Sequence, residues 1–367
     1  MTQLVELLQK LVSIDSINPD LIAGAAGERE LARFVADWCK EAGLEVELVE
    51  AAPGRPNVIA TARGTRGGRT LLLNAHMDTV GVETMEDPFD GRVENGRLYG
   101  RGAYDMKGSL AAILVVAAEA RRRELRGDVV VAAVADEEVA SIGTEALLAG
   151  GRRFDAAVVA EPTELDVAVA HKGFAGFEIE TRGRAAHGSR PDLGVDAIAK
   201  MGPVLVRLQG LADALGGGAT HSLLGAGSVH ASLIEGGQEF SSYPDRCLLT
   251  GERRTLPGET AADVERELQL LIAQSEPEAT LTMGVTRDPF EVDQDADIVQ
   301  LVRRHADSSM IGVPFWTDAA LVQASGVPTV VYGPAGEGAH AAVEWVDVAS
   351  VERCADVLLA VATNFCG

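Results

Sequence analysis

Apolar and polar positions alternate along this chain in two textures. Leu4, Leu7, Leu8, Leu11 and Val12 recur at helical spacing around Glu6, Gln9 and Lys10, which predicts an amphipathic first helix. A second helical pattern covers residues 28–42. Strand-like runs follow at 44–49, 57–62 and 70–74, the last leading directly into His76. Residues 108–123 read as an alanine-rich helix, and 128–135 and 156–160 as continuous apolar strands. Continuous apolar strands between helices imply a sheet covered on both faces.

Near residue 173 the texture changes. Residues 174–182 alternate apolar and polar positions, the period of a half-exposed strand. A helix at about 195–215, strands at 228–234 and 246–254, a helix at about 261–274 and a strand at 279–285 complete the order β-α-β-β-α-β. That order matches a ferredoxin-like split βαβ unit. From about 292 the first texture resumes, with a helix at 296–305, a strand at 329–332 and a final helix at 349–364. The expected architecture is an α/β domain built from residues 1–172 and 287–367, with an α+β domain, 173–286, inserted.

Charge narrows the functional classes. The formal net charge of −23 argues against a nucleic-acid partner, which needs a basic stripe. No apolar run is long enough to suggest a membrane span, and the N-terminus lacks a basic region followed by an apolar core. Cys39, Cys247, Cys354 and Cys366 lie far apart with no CxxC spacing, as reduced core cysteines do. A cytoplasmic location follows.

Five segments carry candidate metal ligands where strands give way to loops, the usual place for α/β active sites. In Asn74-Ala75-His76-Met77-Asp78, His76 offers an imidazole, and Asp78 can accept its second ring N–H and fix the tautomer. Asp105 stands among Gly100, Gly102 and Gly108 in a tightly shaped loop, although it could equally cap the following helix, with Lys107 solvated. Asp136, Glu137 and Glu138 follow an apolar strand directly. Three acids at a buried strand end are costly unless cations or protons compensate them, and a solvated acidic turn is the alternative. Glu161 stands at another strand end, and His340 follows a glycine-rich stretch. Two imidazoles and three carboxylates suit two borderline divalent ions.

The ordered series His76-Met77-Asp78-Thr79-Val80, Gly100 to Gly108, Asp136-Glu137-Glu138, Glu161-Pro162-Thr163 and the late segment from Gly338 to Trp345 resembles the acetylornithine deacetylase / succinyl-diaminopimelate desuccinylase / carboxypeptidase-G2 family of dinuclear zinc peptidases. The resemblance spans nearly the whole chain, inserted domain included. It implies that Asp105 bridges two zinc ions (Co²⁺ or Mn²⁺ being the other candidates), His76 and Glu161 completing one site and Glu138 and His340 the other. It implies Glu137 as general base and Asp78 as the group that orients His76. In the insert, His187 resembles the family histidine that reaches the partner subunit's site as an oxyanion donor. Arg254 resembles the arginine that binds a substrate carboxylate, with Arg253 its competitor. Thr317 and Gly333 would lie near the substrate, Gly333 opening a loop whose backbone N–H groups face it.

One departure from the family pattern is Ser241, where many relatives carry Asn. The resemblance implies a homodimer, formed through the inserted domain, that hydrolyses the amide of a small N-acyl amino acid. A dipeptidase or carboxypeptidase is the nearest alternative. A non-catalytic amino-acid or peptide binding protein is a rival from another class. A structural zinc protein would carry closed, cysteine-rich sites, which this sequence lacks. His171, His221, His230 and His305 match no family role and read as structural or surface residues.

Overall fold

A computed structural model describes residues 2–65 and 67–367. The chain divides into two compact units. One comprises residues up to Val169, Val292–Ile311 and Thr317–Gly367. The other comprises Ala170–Glu291 with Gly312–Trp316.

In the first unit the main sheet runs in the order Glu45–Ala52, Arg55–Ala62, Val129–Val134, Leu71–His76, Ala156–Val159, Thr329–Val331, then the strand starting at Val167. The four strands Val129–Val134, Leu71–His76, Ala156–Val159 and Thr329–Val331 are mutually parallel. All of their residues are buried, as continuous Val, Leu and Ala runs require. The helix Gly108–Arg122 packs alanines against this sheet and against the helix Val348–Cys366. The first helix, Gln3–Val12, buries Leu4, Val5, Leu7, Leu8, Leu11 and Val12 on one stripe.

Because the strands are parallel and adjacent, their carboxyl ends open together. His76 ends one strand, Asp136 to Glu138 follow another, and Glu161 follows a third. Short elements that the periodicity did not resolve complete this end. The helix Ile142–Ala149 is eight residues long, and a small sheet is built from Gly336–Glu337, Trp345–Asp347, Arg97–Tyr99 and Val93–Glu94.

The second unit is a four-stranded antiparallel sheet in the order Ser228–Gly236, Arg246–Thr255, Gly173–Arg182, Thr280–Arg287. The helices Ala197–Gly216 and Ala261–Ser275 cover one face, burying Phe177, Ile179, Met201, Leu249 and Leu268. Alternation in Gly173–Arg182 therefore has a cause: Ala175, Phe177 and Ile179 face the helices while Glu178 stays exposed. Among the described residues, no helix is long and apolar enough to cross a membrane. All four cysteines are buried thiols.

Asn57 ties the sheet to the segment that follows Ala135. Its Nδ2 donates to the Gly143 carbonyl at 2.7 Å, and its Oδ1 accepts from the Ala135 N–H at 3.0 Å, all three groups being buried. Each buried backbone group left without a partner costs about 1–3 kcal/mol. Asn57→Ala should therefore lower the unfolding free energy by about 2–4 kcal/mol in urea melts, and a change near zero would mean that water replaces both bonds.

Candidate active site

Each parallel strand delivers its functional side chain at the point where the backbone leaves the sheet. His76 is the last residue of its strand and is 1% exposed. Its Nδ1 lies 2.9 Å from the Asp78 backbone carbonyl, which can only accept, so Nδ1 carries the hydrogen and the Nε2 lone pair faces the cluster. That Nε2 stands 3.1 Å from Asp105 Oδ1 and 3.7 Å from Glu161 Oε1. On the other side, His340 Nε2 stands 3.4 Å from Asp105 Oδ2 and 3.1 Å from Glu138 Oε2. The two oxygens of Asp105 thus face two different groups, His76 with Glu161 and His340 with Glu138. Within each group the ligand atoms lie within 4.8 Å of one another.

These spacings fit divalent ions. Ligand atoms about 2.0–2.2 Å from a tetrahedral ion stand about 3.3–3.6 Å apart, close to the distances between the side chains here. Glu138 Oε1 supports the same reading, since it is buried with no hydrogen-bond partner. The donor set of imidazole and carboxylate, without thiolate, belongs to catalytic rather than closed structural sites.

Electrostatics sharpen the point. Burial pushes the carboxyls of Glu137 and Glu161 well above the usual range, and neighbouring acids push them further. Glu138 is raised by burial and by Asp105. Asp105 resists the same burial because hydrogen bonds from His340 and His76 hold it below the usual range. The adjacent carboxylates push the His340 imidazolium up to about 10. Carboxylates crowded in this way bind protons or cations strongly.

Glu137 is not among the ligand groups. It follows Asp136, whose φ of +70° turns the chain so that the three acids diverge. Asp136 points inward to Arg55 Nη2 at 3.0 Å and Asn18 Nδ2 at 2.9 Å. Arg55 also holds the buried Glu28 through two bonds, at 2.7 and 2.6 Å. Glu137 remains with its carboxyl raised beside Glu161 and Asp318, as a general base needs.

Asp78 lies against the His76 ring, as expected, and it does so chiefly through its backbone. Its carbonyl, not its carboxylate, takes the His76 proton, and the nearest carboxylate oxygen is 3.6 Å away. The carboxylate instead accepts the N–H groups of Glu137 at 3.1 Å and Glu138 at 3.2 Å, with Asn18 Nδ2 at 2.8 Å. One aspartate therefore fixes the histidine and the acidic loop together.

Other expectations are also revised. Lys107 is not solvated. It is fully buried, donates to the Ile14 carbonyl at 2.8 Å, and burial pushes its ammonium down to about 7. Asp105 makes no capping bond to the helix Gly108–Arg122. Gly333 does not present its N–H to a ligand, because that N–H is donated to Thr163 Oγ1 at 3.1 Å. A Cβ at Gly333 would stand 2.3 Å from the Glu161 carbonyl, so the glycine lets two strand ends approach. The N–H groups of Ala335 and Gly336 are likewise taken, by Ser350 Oγ and Glu164 Oε1. Buried Thr317 turns its hydroxyl to the Ala319 N–H at 3.2 Å. Its neighbour Asp318, raised to about 6 by burial, helps to raise Glu137 and Glu161.

Within the second unit, Arg253 and Arg254 separate cleanly. Arg253 is 2% exposed and is held by Glu259 at 2.8 Å and Glu267 at 3.2 Å, so it belongs to the packing. Arg254 is half-buried beside Glu252 and Phe174. His187 is exposed, and its Nδ1 accepts the Ser189 N–H at 3.2 Å, which leaves Nε2–H as the donor.

Sequence reasoning missed Asn18, Arg55, Glu28, Arg101 and Glu344. For Arg101 and Glu344 the signal available was charge inside a glycine-rich or apolar segment; Asn18 gave none.

Comparison with known proteins gives a consistent picture. The profile of Peptidase family M20/M25/M40 matches residues 72–364. An acetylornithine deacetylase from Myxococcus xanthus is 32% identical, covering 98% of this chain and 97% of its own. An N-formyl-4-amino-5-aminomethyl-2-methylpyrimidine deformylase from Halalkalibacterium halodurans is 26% identical over 99% of this chain and 94% of its own. In fold, the chain is similar to the M20 family metallo-carboxypeptidase Sso-CP2 from Sulfolobus solfataricus. The TM-score is 0.83 at 17% identity, covering 100% of this chain and 99% of the other.

The shared carboxylate leads to a test. His340→Ala removes a candidate ligand from one group only, whereas Asp105→Ala removes one from both. Elemental analysis after gel filtration should find about one ion per chain in the first variant and weakened binding of both in the second. Two tightly held ions in His340→Ala would exclude His340 as a ligand.

Proposed function

Because the chain belongs to Peptidase family M20/M25/M40, a family of metal-dependent amide hydrolases, we propose that it removes the acyl group from a small N-acyl amino acid, as an acetylornithine deacetylase does. The observation that carries this reading is Glu137, a half-buried acid with a raised carboxyl beside two candidate ligand groups that share Asp105. The curated relatives named above, a deacetylase and a deformylase, both take an acyl group from nitrogen by their names, which favours deacylation over peptide cleavage.

The residues give the reaction a physical basis. His76, Asp105 and Glu161 would hold one divalent cation, and Asp105, Glu138 and His340 the other, with Zn²⁺ the best match to this donor set. Two such cations, when bound, would polarise the scissile carbonyl and lower the pKa of the attacking water. Glu137 takes a proton from that water and returns it to the departing amine, which otherwise leaves as a poor anion. Desolvation and neighbouring acids raise its carboxyl, and the two cations would oppose that rise. Asp78 keeps Glu137 in place through the backbone N–H.

The second unit supplies recognition in this reading. Arg254, the half-buried member of its pair, binds the substrate carboxylate through its planar fork. His187, on a second copy of the chain, donates Nε2–H to the developing oxyanion. A homodimer is supported by the edge strand Ser228–Gly236, which exposes Leu233 (63%) and Ile234 (52%), beside a helix exposing Val206 (72%). Buried, unpaired cysteines support a reducing, cytoplasmic compartment.

The test is an assay of metal-stripped protein, before and after Zn²⁺ or Co²⁺, against N-acetyl and N-succinyl amino acids and dipeptides. Acyl amino acids should be cleaved only with metal, and Glu137→Gln should keep its ions while losing about 10²–10⁴-fold in kcat. Preferred cleavage of dipeptides would favour the peptidase reading, and a fully active Glu137→Gln would remove it as the base.

A further inference from the structure

A side chain that fixes Asp105 firmly is not itself a ligand. Glu344 lies four residues beyond His340 and is 2% exposed. Its Oε2 accepts from Arg101 Nη1 at 2.6 Å and from the Gly102 N–H at 3.0 Å. Its Oε1 accepts the N–H groups of Tyr104 at 2.9 Å and of Asp105 itself at 3.0 Å. Four donors on one carboxylate fill its lone-pair sites.

Arg101 extends the arrangement. It is 3% exposed and uses its whole fork, giving Nε to the Gly81 carbonyl at 2.9 Å and Nη2 to the Ala341 carbonyl at 2.9 Å. The Gly100 N–H closes the circuit on the Glu344 carbonyl at 3.1 Å. One ion pair therefore fastens the segment that ends at Asp105 to the segment that begins at His340. A buried pair of this kind adds little net stability over well-packed apolar residues, because desolvation offsets the attraction. What it supplies is position.

His340 needs that help. Its side chain is 55% exposed and its φ is +61°, so neither packing nor a relaxed backbone holds it. His76, by contrast, is 1% exposed at the end of a central strand, with its ring fixed by the Asp78 carbonyl.

We propose that the Arg101–Glu344 pair is a positioning device that sets Asp105 against His340, and so governs the ion site of Asp105, Glu138 and His340 more than that of His76, Asp105 and Glu161. The inference rests on the reading that these groups hold two cations. Removal of either partner leaves the His76 site with its strand-borne ligand, while the exposed histidine loses the frame that aims it.

The test uses the full-length protein stripped of metal and titrated with Co²⁺, followed by visible absorbance and elemental analysis, with circular dichroism to confirm folding. Glu344→Gln exchanges one acceptor oxygen for an NH₂ group facing two donors, and Arg101→Lys keeps the charge but loses the fork. In both, the first Co²⁺ should bind within about threefold of wild type and the second about 10–100-fold more weakly, with an altered spectrum for the second equivalent. Excess metal should restore kcat with KM unchanged, which a general loss of stability would not do. Should Glu344→Gln fail to fold, Arg101→Lys carries the test. Unchanged affinity for both ions, or equal weakening of both, overturns the proposal. Wild-type protein binding fewer than two ions sinks the two-cation reading itself, and the clamp's role with it.

Discussion

Buried like charge is the constraint around which this structure is arranged. Of three adjacent parallel strands, one ends in His76 and two lead into acids, and Asp105 and Asp318 are brought beside them from distant segments. Carboxylates so placed cannot all ionise in a medium of low polarity without compensating positive charge. The raised carboxyls of Glu137, Glu138 and Glu161 are the direct expression of that conflict. In the proposed reading two divalent cations would resolve it for His76, Asp105, Glu161, Glu138 and His340, and would leave Glu137 to serve as the base. The cost of burial and the chemistry thus have one origin.

Beneath the ligands lies a layer that never touches a substrate in this account. Asp136 meets Arg55 and Asn18, Asn18 meets Asp78, and Asp78 holds the backbone of Glu137 and Glu138. On the other side, Arg101 and Glu344 hold the backbone of Asp105. Both arms use a buried charge to grip main-chain N–H groups rather than ligand side chains. Backbone anchoring leaves the carboxylate oxygens of Asp105 and Glu138 free for the cations they would hold, which a direct side-chain bond would not.

Much of the placing of the candidate ligands was legible in the sequence because local features carry it. Apolar runs that stop at His76, at Asp136 and at Glu161 mark strand ends, and the glycines around Asp105 mark a shaped loop. The ferredoxin-like order of the second unit was equally legible, since alternation in 174–182 has the period of a half-covered strand. The supporting layer was not. Arg101 and Glu344 are separated by 243 positions, and Asn18 and Asp136 by 118, so no spacing rule pairs them. The role of Asp78 was half legible: its place beside His76 follows from the extended backbone, but whether carbonyl or carboxylate takes the proton depends on where Glu137 and Glu138 come to lie. Gly333 misled for a related reason. Its glycine is required by contact with the Glu161 backbone, a packing demand that reads in sequence like a ligand loop. The helix Ile142–Ala149 was too short, and too interrupted by Gly143, for its period to register.

The central claim is that one aspartate serves two cations at the ends of the central strands. Anomalous scattering from crystals grown with Zn²⁺, collected on both sides of the zinc absorption edge, addresses it most directly. The account predicts two peaks per chain on either side of the Asp105 carboxylate, one among His76 and Glu161 and the other among Glu138 and His340. A single peak, or two peaks that do not share Asp105, would contradict it.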